Sequence, residues 1–63
     1  VKDISEFKVG EIATSFMSKT PYEVMKFNWI IKRNKHIVES STCTNLETGK
    51  EVIITWNKNK NFV

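Results

Sequence analysis

The stretch Asn45-Leu46-Glu47-Thr48-Gly49-Lys50 constrains this chain more than any other. On one side lies Ile37–Thr44, rich in β-branched and hydroxyl residues (Ile37, Val38, Thr42, Thr44) that suit a pleated surface. On the other lies Val52–Trp56, where Val52, Ile54 and Trp56 recur with a period of two. Gly49 supplies the positive φ that a tight connection between two such runs requires. The spacing therefore predicts a hairpin closed at Asn45–Lys50.

Other strands follow from the same rules. Thr20-Pro21 marks a turn, because proline cannot donate to a ladder and is tolerated at a strand's first position. Tyr22–Ile31 is dense in aromatic and β-branched residues. Glu23, Met25, Phe27, Trp29 and Ile31 alternate there with Tyr22, Val24, Lys26, Asn28 and Ile30. Apolar residues on both sides imply a bulge or bend that swaps faces partway along. Upstream, Ile12, Thr14 and Phe16 alternate with Ala13, Ser15 and Met17. Helix is confined to one turn near Asp3–Phe7, capped by Asp3 or Ser5 and ended by Gly10. The polar run Asn57–Asn61 is expected to be a loop leading to a last strand that begins at Phe62-Val63.

Short strands, tight turns and almost no helix point to an all-β fold, a small SH3-like (KOW/Tudor-type) barrel of four to five antiparallel strands. That form leaves the least exposed strand edge. Sixty-three residues make a single domain, 1–63, and the start at Val1 suggests a processed protein or a fragment of a longer one. A domain this small buries only about 60% of its unfolded surface, so its few large residues are needed inside. Trp56, Phe27 and Phe16 are the expected core aromatics, Tyr22 is expected to be structural, and Cys43 is expected to be a small packing residue.

Composition removes several functions from consideration. No apolar run approaches the roughly 20 residues that span a bilayer, and a membrane role is not expected. One Cys and one His offer no zinc ligand set, and a lone Cys cannot form an internal disulfide, which fits a cytoplasmic protein. The acids Glu11, Glu23, Glu39, Glu47 and Glu51 are scattered, and neither paired carboxylates nor a phosphate-binding Gly loop occur. No catalytic residue and no cofactor are expected. Six Asn and nine Lys suggest an AT-rich coding genome, such as that of a phage.

Charge is unevenly spread. Residues 1–25 hold three Lys against four acids, and residues 26–63 hold seven Lys or Arg against three acids. The net charges are thus −1 and +4, matching the total of +3. Within the basic part, Lys32-Arg33-Asn34-Lys35-His36 falls at a predicted hairpin tip. There Lys32, Arg33 and Lys35 can meet phosphates, and Arg can fork to a phosphate or a guanine edge. Lys26 adds charge, and Lys58 and Lys60 form a second basic patch among Asn57, Asn59 and Asn61. Trp29, three residues before Lys32, could stack on a base or cover the open end of the barrel.

Order and spacing also carry a resemblance. Pro21-Tyr22-Glu23-Val24, a basic tip, Asn45-Leu46-Glu47-Thr48-Gly49, Val52 and Thr55-Trp56 follow one another as in the N-terminal KOW-like domain of bacterial elongation factor P. The lead-in Glu6-Phe7-Lys8-Val9-Gly10 resembles that family's opening, and the similarity extends over residues 5–63. The resemblance implies a barrel of the same type. The family's tip presents a lysine flanked by glycines; here Asn34 occupies that position, Lys35 lies beside it and the glycines are absent.

The expected function is that of a nucleic-acid-binding module, for RNA or DNA, in a transcription- or translation-associated regulator. Its expected site is Lys26, Trp29, Lys32, Arg33, Lys35, His36, Lys58 and Lys60. The alternative is a protein-interaction module that binds a peptide through an aromatic groove formed by Trp29, Tyr22 and Trp56.

Overall fold

The computed structural model describes residues 1–63. Six strands run in the order β1 (Lys2–Asp3), β2 (Ile12–Thr14), β3 (Pro21–Lys32), β4 (Lys35–Asn45), β5 (Glu51–Thr55) and β6 (Lys60–Phe62). One 3-10 turn, Ile4–Glu6, is the only helical element. Strands β2-β3-β4-β5 form an antiparallel sheet, and β1 pairs with β6. Main-chain bonds join the two sheets: Thr14 and Val63 exchange N–H···O contacts of 3.2 and 2.8 Å, and Phe16 N–H donates to the Asn61 carbonyl at 2.7 Å. The result is the small all-β, barrel-like domain expected, with two very short strands added to the main four.

Of the bulge or bend implied by the two-faced pattern of β3, a bulge is present. Val24 lies opposite Cys43 and Phe27 opposite Ser41, so Met25 is the extra residue. This one insertion lets Val24 and Phe27 share the inner face although three positions apart. A second shift between Asn28 and Trp29 places Asn28 opposite Ser40 and Trp29 opposite Val38, leaving Glu39 as the extra residue of β4.

The fully inward residues are few: Ile4, Phe7, Ala13, Val24, Cys43 and Phe62, with Tyr22, Phe27, Val52, Ile54 and Trp56 packed around them. Two edge-to-face aromatic pairs complete the core, Tyr22 with Phe62 at 6.3 Å and Phe27 with Trp56 at 5.3 Å. Trp56 satisfies its indole N–H on Ser41 Oγ at 2.7 Å, so the ring is half-buried without an unpaired donor. Cys43 is buried between these groups, and burial pushes its thiol up to about 11.

Phe16 departs from expectation. It is 49% exposed, with Lys19 Nζ 4.6 Å from its ring centre. Of the two alternating faces of β2 and its extension, the inward one carries Ala13 and Ser15. Small residues fit there because β6 bridges at Ser15 opposite Phe62, whose ring fills the space. The last strand also differs: it begins at Lys60 rather than Phe62.

The chain start is fixed to its far end by Asp3. Its Oδ2 accepts from Ser5 N–H at 3.0 Å and Asn57 N–H at 2.9 Å, while Glu6 Oε2 accepts from Asp3 N–H at 3.2 Å. Asp3 thus caps the 3-10 turn, as expected, and also ties it to the residue just beyond Trp56. Burial pushes its carboxyl upward. The N–H groups of Asn57, Ser5 and Asn59 and the Ser5 side chain outweigh burial together and hold it below the usual value of 3.8.

Candidate nucleic-acid interface

Strand β2 pairs with β3 only as far as Glu23, and β5 pairs with β4 only from Ser40 onward. Beyond those limits β3 and β4 continue alone as a two-stranded ribbon. From Trp29 to the turn it extends about 10–13 Å at the usual strand rise. The molecule is accordingly long, 38 × 22 × 15 Å.

The ribbon holds itself together by cross-strand pairs: Trp29 with Val38, Ile30 with Ile37, and Ile31 with His36. Aromatic–β-branched and apolar pairs of this kind contribute about 0.2–1 kcal/mol each. Trp29 stays 61% exposed and Ile31 71% exposed while doing so. Trp29 therefore does not cover the open end of the barrel.

At the tip, Arg33 and Asn34 form a two-residue turn in which both residues are left-handed, with φ of 52° and 60°. This is the turn that matches the twist of the flanking strands, and it normally takes Asn or Gly. Asn34 suits it. Arg33 does not, since a side chain with a Cβ is disfavoured there by about 1–2 kcal/mol. A second local cost stands beside it, because Lys32 and Lys35 face each other directly and like charges in that position repel. From Val24 to Val38 the hairpin contains no acidic residue. Three cations are thus concentrated at an exposed tip without a countercharge on the same ribbon.

The structure divides the expected site into parts. Lys32, Arg33 and Lys35 come together at the tip. Trp29 and His36 lie on one face of the ribbon with Ile31 and Val38, while Lys32 and Lys35 pair on the other. Lys26 is exposed farther down β3, opposite Thr42. Lys58 lies in the turn after β5, and Lys60 lies on β6 opposite Asp3, so neither belongs to the hairpin. The three residues expected to line an aromatic groove do not converge: Tyr22 packs on Phe62, Trp56 packs on Phe27, and Trp29 stands on the ribbon.

One polar cluster lies outside the residues that the charge and aromatic pattern picks out. Asn28 Nδ2 donates to Ser40 Oγ at 3.1 Å and to Thr42 Oγ1 at 2.9 Å. These bonds cross the base of the ribbon and fix β3 to β4 where the supporting strands end. The signal was available, since hydroxyls recur at alternate positions 40, 42 and 44 of one strand. No group of three His, Cys, Asp or Glu side chains gathers to hold a metal. No helix is long and apolar enough to cross a membrane. The chain matches no family model, no curated protein and no solved structure in the comparisons made.

Proposed function

We propose that this domain binds nucleic acid by seating the tip of the β3–β4 hairpin against the phosphate backbone. The observation that carries the reading is the arrangement at the tip: Lys32 opposite Lys35, with Arg33 held left-handed between them. Each feature opposes stability, and local strain of this sort concentrates at functional sites. Phosphates would relieve the charge repulsion, and the ribbon would carry the cations clear of the barrel body. Trp29, exposed on the ribbon's other face, would stack on a base or sugar once the tip is engaged. Lys26, Lys58 and Lys60 would add long-range attraction.

Replacing Lys32, Arg33 and Lys35 together with alanine tests this. Titration of RNA and DNA fragments at several salt concentrations should show weaker binding. The slope of log affinity against log salt should flatten by about two to three, near 0.9 per phosphate contact on a duplex and 0.7 on a single strand. Unchanged affinity with an unchanged slope would reject the tip as the contact.

A further inference from the structure

We infer that β5 is a self-complementary edge through which two copies of this chain associate. The strand pairs with β4 on one side and has no strand on the other. Asn45 N–H donates to the Lys50 carbonyl, and Trp56 N–H donates to the Glu39 carbonyl. Backbone direction alternates along an antiparallel ladder, so Val52 and Ile54 also turn toward β4. Glu51, Ile53 and Thr55 therefore aim their N–H and C=O groups outward. Natural edges are blunted by lysine, proline, bulges or brevity. Here the run Glu51-Val52-Ile53-Ile54-Thr55 has neither Lys nor Pro, its register is regular, and Ile53 is 71% exposed.

The occupant follows from the order of these side chains. An antiparallel copy placed on a twofold axis through Ile53 sets Ile53 opposite the partner's Ile53 and Glu51 opposite the partner's Thr55. The outward backbone groups then meet in about six main-chain hydrogen bonds. On the inner face the same axis sets Val52 opposite the partner's Ile54. Every apolar residue of the strand meets an apolar residue, and no charge faces a like charge. A shift of one residue would set inward-turned groups of one copy against outward-turned groups of the other. A shift of two would place Ile53 opposite the partner's Thr55 in one direction and opposite the partner's Glu51 in the other. One register is therefore favoured, and the interface is isologous, as in most closed dimers. A single five-residue edge buries less than a standard interface, so the association is weak. This association does not depend on the hairpin tip.

Sedimentation equilibrium from about 20 µM to about 2 mM, with Ile53→Lys and Ile53→Glu, tests both the edge and its register. The weight-average mass of the parent should rise toward twice the monomer value. Each variant alone should stay monomeric, because residue 53 would face its own charge across the axis. An equimolar mixture of the two should associate again. Residue 53 is exposed, so folding is preserved, and circular dichroism verifies it. A parent that stays monomeric throughout overturns the inference, and that result depends on no variant. So does an Ile53→Lys variant that associates within threefold of the parent. A mixture no heavier than its components overturns the register.

Discussion

Arg33→Asn should separate stability from binding at a single position. Arg33 sits at a φ of 52°, in a turn whose first residue is best Asn or Gly. A side chain with a Cβ is disfavoured there by about 1–2 kcal/mol, and Asn escapes most of that by bonding locally. Removing one of three crowded cations adds a few tenths more. The expected gain is about 1 kcal/mol, which raises the thermal midpoint of a domain this size by about 4–8 °C. Differential scanning calorimetry at fixed ionic strength measures it. Nucleic-acid affinity should fall in the same variant, with the salt slope lower by about 0.7–0.9 for one lost phosphate contact. A midpoint that is unchanged or lower would refute the claim that the tip stores strain. A higher midpoint with undiminished binding would show that the strain serves something other than phosphate contact.

Three further outcomes are expected. Gly49→Ala should lower stability by about 1 kcal/mol, because Gly49 has a φ of 76° and a Cβ there meets nothing within 4 Å, leaving backbone strain as the sole penalty; chemical denaturation gives the value. Asp3→Ala should cost about 1–2 kcal/mol at neutral pH by removing the cap and the Asn57 contact. The Asp3 carboxyl is held below 3.8 in the fold, so its contribution is complete above that pH and is lost as pH falls through the folded value; the gap between parent and variant should close in acid denaturation below about pH 3.8. Cys43 should react with a thiol reagent on the order of a thousandfold more slowly than in denaturant, since access requires opening of the core. Its thiol rises from 9.0 to about 11 on folding, so the stability it contributes is intact below pH 9 and declines between pH 9 and 11.

Much of this architecture was legible because local chemistry agreed with the fold. Pro21 opens β3, Gly49 turns left-handed, and Asn45 Oδ1 accepts from Glu47 and Thr48 N–H at 2.8 and 3.2 Å to shape the connection. The two-faced apolar pattern of β3 pointed to a bulge or bend, and the register places a bulge at Met25. Phe16 was misplaced because period-two alternation defines two faces without saying which is inward. Apolar size favoured the wrong one, while the space beside Phe62 admitted only Ala13 and Ser15. Strand β1 escaped notice because two residues carry no pattern of their own; their partner lies at the other end of the chain. The basic tip was readable as a run of charge. Alternation along β3 already sets Trp29 and Ile31 on the face opposite Lys32; what the run of residues did not reveal was the extra residue Glu39, which shifts β4 against β3 below the ribbon.

The pairing of β1 with β6 sets how the domain responds to tension. Lys2 lies opposite Phe62, so the two chain ends leave the molecule side by side. A load pulling those ends apart acts across the ladder and meets its bonds one after another, as a zipper does. The first to part are those of β1 and β6, followed by the Asp3–Asn57 contact, and each yields at low force. A load applied between one chain end and the hairpin tip would instead draw β3 and β4 along their length and shear the β2–β3 and β4–β5 ladders, whose bonds resist together. The same fold is therefore compliant along one axis and stiff along another. Pulling geometry in an optical trap, rather than overall stability, should decide its rupture force.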